Sequence, residues 1–482
     1  MQGIPCRPSF RVLTDEQLDR IHERSLSILQ RTGIRFDSED ARKRLVAAGA
    51  SEHPTKRDVM TFPPEIVEEA VRKVPRNPTF FARNPSWDVT YDGEHIFPYG
   101  GGGDPKMIDL TTGEIRPSTI DDVQKAVRLG DALQNNFLAS TLVVPNDVPA
   151  GILPLKTLEA AIVNSSKTVS EVAHNKQTVD YMMKMCAHVS GGTEEFRKRP
   201  FLNISRSPSS PLTYARGVCD VLIRCAELGI PFTVVPCPIC GATGPMSIGG
   251  SLAQQNAETL GGLVLMQSIE PGLPTVYSGR VCFMDPRTGR DLWGTPEEAI
   301  ASVAMVQLSK KYNMVADACG MTSDVPRWDM QMGLERMMTI LLPALAGADS
   351  ISGIGSGWEG ASSLEMMVID NEILNDVARV LRGIQIDEPR FAMDVIDKVG
   401  HMGNFLAQRH TLEYLRKDEV RVSGLWDKRT TERGNREGSR PIQEVARERA
   451  RKLLAEHQPE PIDRDVAESI RNVVREASKT LL

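Results

Sequence analysis

The fold is decided by the stretch from Phe201 to Val235, which reads FLNIS (201–205), RSPSSPLT (206–213), YARGVCDVLIRCAEL (214–228), GIP (229–231) and FTVV (232–235). A short β-rich run is followed by a helical pattern of apolar residues and then by a second β-rich run. A strand, a helix and a strand in this order are typical of a parallel β-sheet. The stretch therefore predicts two parallel strands joined by a helix.

The same alternation repeats along most of the chain. Further strands are predicted at Phe137–Val144, Thr168–Ala173, Thr275–Ser278, Met314–Ala318 and Ser350–Ile354, with an eighth candidate at His95–Tyr99. Further helices are predicted between them, at Leu155–Ser165, Thr178–Val189, Leu252–Ser268, Pro296–Tyr312 and Asp329–Leu345. Eight strands suit a closed (β/α)8 barrel, the TIM barrel, better than an open doubly wound sheet. We therefore predict an α/β fold of the barrel class.

The chain is longer than one barrel requires. It has 482 residues, whereas a (β/α)8 barrel typically has about 250. We predict an N-terminal helical segment over 1–80, in which Thr14 and Gln17 form a helix-capping box. The barrel is predicted over 81–400, and a C-terminal helical appendage over 401–482.

Composition excludes several classes of protein. The net charge of −6 argues against a nucleic-acid-binding protein, which usually carries a concentrated basic excess. No stretch reaches the roughly 18 apolar residues of a membrane span, and the first eight residues do not resemble a secretion signal. Eight cysteines in a chain of this length suggest reduced thiols. We expect a cytoplasmic protein that binds neither nucleic acid nor membrane.

Candidate site residues follow the predicted strands, because ligands bind at the carboxyl ends of the strands in a barrel of this class. Small residues in these loops leave room for a ligand. Aromatic residues there form either ordinary packing or, if they converge, a pocket for a cation; they are Tyr99, Tyr277 and Trp358. Further candidates for substrate binding are Gly101, Gly102, Glu171 and Gly320.

Two motifs have competing interpretations. Gly355–Gly360 matches G-x-G-x-x-G, but it comes too late in the chain for a dinucleotide fingerprint. A site for a phosphate-bearing ligand and a plain tight turn both stay open. Cys237 and Cys240 form a C-x-x-C without a second pair at zinc-binding spacing, which favours structural thiols over a metal or redox site. We expect no metal on this chain.

Several motifs resemble those of a known family. They run in order along the chain: LTDEQ (13–17), Ile21-His22, TGIRF (32–36), GATGPMS (241–247) leading into QNAE (255–258), PTVYSG (274–279), LAGAD (345–349), and Phe405-Leu406 through His410–Leu412. The chain resembles the trimethylamine:corrinoid methyltransferases. The resemblance implies a (β/α)8 barrel that delivers a methyl group to a partner protein carrying cobalamin.

The resemblance also bears on the substrate. The founding members of the family carry pyrrolysine in the site, whereas this chain has only standard residues; Cys319–Asp324 is a plausible neighbourhood for the equivalent position. Members without pyrrolysine are associated with quaternary amines such as glycine betaine. We therefore expect methyl transfer from a betaine-like quaternary amine to the Co(I) centre of a cognate corrinoid protein, with no cofactor on this chain. A homo-oligomer is also expected.

The chemistry of a betaine suggests which residues hold it. Its carboxylate requires Arg, His or backbone N–H groups, and the candidates are Arg280 and His410, with Arg206 in reserve. No nucleophile triad or acid–base pair stands out, so the catalytic residues are unknown. The alternatives are a barrel enzyme that binds a phosphate-bearing ligand at Gly355–Gly360 and a non-catalytic betaine-binding protein.

Overall fold

Eight parallel strands form the centre of the molecule. The structure is a computed structural model that describes residues 2–325, 328–357, 360–417, 419–432 and 438–482. In chain order the strands are β1 (Tyr99–Gly100), β2 (Leu138–Ser140), β3 (Thr168–Val172), β4 (Leu202–Arg206), β5 (Phe232–Val234), β6 (Thr275–Tyr277), β7 (Val315–Cys319) and β8 (Ser350–Ile354).

The strands pair in a ring. The sheet runs from β2 through β8 in chain order and returns to β1, with every pair parallel. Between β1 and β2, the amide of Phe137 donates to the carbonyl of Pro98 at 2.8 Å. The hydroxyl of Ser140 donates to the carbonyl of Gly100 at 2.6 Å. The predicted (β/α)8 barrel is confirmed.

One helix follows each strand. They are α1 (Ile120–Ala132), α2 (Leu153–Asn164), α3 (Lys176–Ser190), α4 (Arg216–Leu228), α5 (Ile248–Ile269), α6 (Pro296–Lys311), α7 (Met330–Ala346) and α8 (Leu364–Leu381). Five of the eight begin at a polar side chain that accepts a hydrogen bond from the first turn; these caps are Thr119, Asn175, Thr295, Asp329 and Ser363. Such caps satisfy amides that have no partner within the helix, so they fix where each helix begins.

The N-terminal segment contains strands as well as the predicted helices. Its helices are Asp15–Ser27, continued by a π-helical turn at Ile28–Thr32, then Glu39–Ala47 and Pro64–Lys73. The capping box of Thr14 and Gln17 is present. A four-stranded sheet joins this segment to the barrel; it consists of Ile34–Phe36, Ser51–Glu52, Val59–Thr61 and Thr213–Tyr214. Strands of two or three residues are too short to show an alternating pattern in the sequence.

Short strands also frame the barrel. The predicted strand at His95–Tyr99 is divided: His95–Ile96 pairs with Ile4–Pro5, and the barrel strand begins only at Tyr99. Two hairpins lie before and after this barrel strand in the chain. One pairs Thr79–Phe80 with Val89–Thr90, and the other pairs Lys106–Ile108 with Ile115–Pro117. A three-stranded sheet lies beyond β5 and β6; it consists of Ile239–Cys240, Cys282–Met284 and Asp291–Leu292. The remaining short elements are Pro85–Trp87 and Thr193–Lys198.

The described residues beyond α8 form further helices. They are Glu388–Phe391, Met393–Val399, Arg409–Arg416, Ile442–Glu456 and Arg464–Leu481. Ile442–Glu456 packs against α8 and α1, where Arg447 donates to Glu365 at 2.8 Å. In the portion of the chain that the structure describes, no helix combines the length and the apolar character that crossing a bilayer requires.

Candidate active site

A cavity of about 670 Å³ opens at the carboxyl ends of the barrel strands. Small hydroxyl side chains line its interior: Ser140 on β2, Ser170 on β3, Thr233 on β5, Ser278 after β6 and Ser352 on β8. Branched apolar residues usually fill the interior of a TIM barrel. The substitution of serine and threonine for them leaves space for a ligand.

Arg280 forms part of the inner wall of this cavity. Its guanidinium donates to the carbonyl of Ser278 at 2.8 Å and to the hydroxyl of Ser352 at 2.7 Å, and lies 3.3 Å from the carboxylate of Asp317. Burial lowers the pKa of Arg280, but nearby Cys319, Asp317 and Tyr99 outweigh burial and raise it overall. Arg280 is thus a permanent cation, and its charge is already matched by a buried carboxylate.

Glu171 places a buried carboxyl group in the cavity wall. Its side chain lines the cavity although the residue is only 3% exposed. One oxygen accepts a hydrogen bond from the amide of Val172 at 3.1 Å, and the other has no partner among the residues that the structure describes. Burial raises the pKa of Glu171 to about 8. The cavity wall therefore contains a carboxyl group without a cationic partner among the described residues.

Arg206 supplies the opposite charge. It lies at the end of β4, next to the strand of Glu171, and lines the same cavity. Its buried Nε has no hydrogen-bond partner, and no carboxylate forms an ion pair with it, in the described part of the chain. Burial lowers the pKa of Arg206. The sequence placed Arg206 second to Arg280, whereas the structure leaves Arg206 with the more available charge.

Three of the residues that the sequence proposes for substrate binding, Tyr99, Gly101 and Gly102, line the cavity. A side chain at Gly102 would place its Cβ 2.4 Å from the carbonyl oxygen of Leu142, so only glycine fits there. Burial, reinforced by the charge of Asp317, raises the pKa of Tyr99 well above its ordinary value. Its ring therefore stays a neutral phenol in the wall of the cavity.

Tyr277 lies on the opposite side of its strand from the cavity. Its hydroxyl donates to Gln255 at 3.1 Å and to Asn256 at 2.9 Å, both on α5, and it is fully buried. Asn256 in turn donates to the hydroxyl of Tyr312 at 2.8 Å. The expected contact of Tyr277 with substrate is therefore corrected, because a polar network inside the barrel wall holds its side chain.

Two other expected residues, Gly320 and His410, do not join the cavity lining. Gly320 faces α7 and β8, where a Cβ would lie 2.7 Å from Ile351 and 3.0 Å from the carbonyl of Thr339. His410 lies in the helix Arg409–Arg416, with its ring 4.2 Å from that of Tyr414. Trp358 lies outside the described residues.

Two backbone amides at the start of the loop after β8 already donate hydrogen bonds to carboxylates. The amide of Gly355 donates to Asp370 at 2.7 Å, and that of Gly357 donates to Asp104 at 3.0 Å. Ser362 also donates to Asp104. A phosphate-binding loop needs amides free to bind the anion, so these contacts argue against the alternative of a phosphate-bearing ligand at Gly355–Gly360.

The C-x-x-C motif does not form a cysteine pair. Cys240 is buried, whereas Cys237 is half-buried and its sulfur lies 3.4 Å from the sulfur of Cys282. Cys282 follows β6, so the sequence spacing gave no sign of this contact. Within the residues described, no group of three or more histidine, cysteine or carboxylate side chains has a geometry that could hold a metal.

Comparison with known proteins shows similarity along the whole chain. Residues 3–481 match the family model described as trimethylamine methyltransferase (MTTB). The glycine betaine methyltransferase of Desulfitobacterium hafniense strain Y51 is 31% identical over 98% of both chains. The trimethylamine methyltransferase MttB of D. hafniense strain DSM 10664 / DCB-2 is 29% identical over 96% of this chain and 93% of that protein. The MttB of Methanosarcina thermophila is 30% identical over 95% of both chains.

A solved structure shares the fold. The hydroxylamine complex of MtmB superposes with a TM-score of 0.52 at 12% sequence identity, over 98% of this chain and 88% of that one. At so low an identity the likeness concerns the fold alone.

Proposed function

This chain belongs to the trimethylamine methyltransferase family, and from that premise we propose that it moves a methyl group from a betaine-like quaternary amine to the Co(I) centre of a cognate corrinoid protein. That it is an amine methyltransferase follows from its relatives. The betaine-like substrate and the corrinoid partner are the proposed parts. Sequence identity does not select the substrate, because relatives that act on trimethylamine and on glycine betaine are 29% and 31% identical to this chain.

The observation that carries the proposal is that a basic and an acidic side chain, each unpaired within the described residues, line the same cavity. There Arg206 is a cation without a carboxylate partner, and Glu171 is a carboxyl group without a cation. A betaine has both missing charges, a carboxylate for Arg206 and an ammonium for Glu171. Trimethylamine has no carboxylate, so it would leave the guanidinium of Arg206 unmatched in a partly buried site, which is unfavourable.

The reaction needs few groups from this chain. A corrinoid brought by a partner protein supplies a cobalt(I) nucleophile for the methyl carbon, so the difficult chemistry belongs to the cofactor. The nitrogen keeps the electron pair of the broken C–N bond and leaves as a neutral tertiary amine, so no proton donor is required. What remains for the cavity is to bind the amine, orient one methyl group toward the opening and exclude water.

Loss of the positive charge limits how tightly the ammonium should be held. Interactions that stabilise the cation more than the transition state do not accelerate the chemical step. Before substrate binds, a carboxyl group with a pKa of about 8 is largely protonated at neutral pH, so the cost of ionising it offsets part of its attraction for the ammonium. The neutral ring of Tyr99 adds an aromatic wall. Arg206 contacts the end of the substrate that does not react, so its attraction is retained in the transition state.

The test is demethylation with free cob(I)alamin as acceptor. We expect glycine betaine to be converted to dimethylglycine more efficiently than trimethylamine is demethylated. Arg206→Met should raise the KM for glycine betaine about 10–100-fold, because a charge-assisted hydrogen bond contributes roughly 1.5–3 kcal/mol. The KM for tetramethylammonium, which has no carboxylate, should not rise.

Arg76→Met is the matched control, because Arg76 lines a separate cavity together with Met314 at the other end of the barrel. It should leave both KM values unchanged. Faster turnover of trimethylamine than of glycine betaine would refute the proposed substrate. Binding of glycine betaine without any dimethylglycine would instead identify a non-catalytic betaine-binding protein.

A further inference from the structure

Two cysteines from different loops meet beside the candidate active site. Cys237 follows β5 and Cys282 follows β6, and their sulfur atoms are 3.4 Å apart. Both are free thiols in this structure. Their contact has no role in the binding of an amine or in the transfer of a methyl group as derived above.

The backbone holds the two loops together. The amide of Arg280 donates to the carbonyl of Pro236 at 2.9 Å, and the amide of Cys282 donates to that of Pro238 at 3.2 Å. Ile239 and Cys282 are also register partners in the small sheet next to the barrel. The sulfur contact is therefore a consequence of fixed backbone positions rather than of two mobile side chains.

We propose that Cys237 and Cys282 are a reversible oxidation site that forms an intramolecular disulfide with peroxide as the oxidant. A disulfide requires the sulfurs to approach to about 2.05 Å, so from their present distance of 3.4 Å the two side chains and their loops must draw closer together. Cys237 is the half-buried member and Cys282 is only 1% exposed. Peroxide therefore reaches Cys237 first.

The reaction balances with one peroxide. The thiolate of Cys237 attacks the O–O bond of hydrogen peroxide, which gives a sulfenic acid and, after protonation of the hydroxide, water. The sulfur of Cys282 then attacks the sulfur of Cys237, and the hydroxyl group leaves with the proton of Cys282 as a second water. Two thiols and one peroxide thus give one disulfide and two waters.

The location links oxidation to the candidate site. Arg280, which lies in the same loop as Cys282 and two residues before it, forms part of the cavity wall. A cross-link that draws the two loops together would move the segment that positions its guanidinium. This part of the inference rests on the proposed function: oxidised protein should bind glycine betaine at least about fivefold more weakly, and a thiol reductant should restore the affinity.

The experiment maps the disulfide in the full chain. Protein treated with hydrogen peroxide is alkylated, digested and analysed by mass spectrometry, and its thiols are counted after denaturation. We expect a Cys237–Cys282 peptide pair and a thiol count that falls by two. Cys237→Ser and Cys282→Ser should each abolish the pair, whereas Cys240→Ser, the matched control, should retain it.

The outcomes separate the oxidation site from the proposed function. A different cysteine pair, or oxidation of Cys237 alone to sulfinic acid, would overturn the oxidation site. Formation of the pair without any change in the affinity for glycine betaine would overturn its link to the active site. If the reduced protein binds no betaine but still forms the pair, the proposed substrate fails while the oxidation site stands.

Discussion

Glu171 should make the binding of a quaternary amine depend on pH. In the empty cavity burial raises its pKa to about 8, from an ordinary value of 4.5. An ammonium beside the carboxyl group favours the ionised form, so the pKa falls when substrate binds. Below pH 8 each binding event therefore releases up to one proton, and affinity increases with pH until the carboxyl group of the free protein is ionised.

The size of the effect follows from the two pKa values. If bound substrate returns the pKa of Glu171 to its ordinary value, the affinity for glycine betaine should increase about 25-fold between pH 6.5 and 8.5, which is about 1.9 kcal/mol. Isothermal titration calorimetry over this range measures the affinity. Titrations at pH 7 in two buffers with different ionisation enthalpies measure the released proton.

Two variants identify the group responsible. Glu171→Gln should remove both the pH dependence and the proton release, and it should raise KM at pH 8.5 without lowering kcat, because the ammonium charge disappears in the transition state. Glu298→Gln is the matched control, since burial also raises the pKa of Glu298 to about 8, but Glu298 is not part of the cavity lining. A flat affinity in the wild type, or an unchanged slope in Glu171→Gln, would refute the reasoning.

The other predictions concern residues that the structure assigns to the barrel wall and to the loops. Arg280→Met leaves the buried carboxylate of Asp317 without its cation, so the free energy of unfolding in urea should fall by about 3–5 kcal/mol; an unchanged midpoint would contradict this. Tyr277→Phe removes the hydroxyl that donates to two buried amide oxygens and should lower the free energy of unfolding by about 1–3 kcal/mol. The KM for the amine should stay unchanged, and a rise in KM without a loss of stability would show that Tyr277 contacts the substrate. Millimolar phosphate should not raise the thermal unfolding temperature, because carboxylates already accept hydrogen bonds from the amides of Gly355 and Gly357, and a clear increase would restore the phosphate interpretation.

The barrel was predictable because its signal is repeated. Each strand and helix is ambiguous alone, but seven similar units and an eighth candidate leave few other folds. The helices predicted at Pro296–Tyr312 and Asp329–Leu345 agree with the observed helices Pro296–Lys311 and Met330–Ala346 to within about one residue at each end. The strand at His95–Tyr99 was placed too early because the pairing of Ile96 with Ile4 joins segments far apart in the chain, which a local pattern does not reveal.

The choice between two arginines needed the structure. Both Arg206 and Arg280 follow predicted strands, so position alone does not rank them as carboxylate anchors. The side chains that contact the two arginines do rank them as anchors, because Arg280 is paired with Asp317 whereas Arg206 has no carboxylate partner within the described residues. Ion pairs between residues 37 positions apart depend on how neighbouring strands are aligned. The oligomeric state and the domain boundaries stay predictions.

The position of Tyr277 shows which feature of the sequence would have located the cavity. Successive residues of a strand face opposite sides of the sheet, so Tyr277 and Ser278 could not both face the interior. In a parallel barrel both sides are buried, and apolar content therefore does not reveal which side a residue faces. Thr233, Ser278 and Ser352 line the cavity, whereas their neighbours Val234, Tyr277 and Ile351 are buried and absent from its lining. A hydroxyl residue alone does not mark the inward face, because Thr275, two residues before Tyr277, accepts a hydrogen bond from Gln267 on α5. Thr275 and Tyr277 therefore share the outward face that packs against the helix, and the alternation of the strand leaves Ser278 rather than Tyr277 facing the cavity.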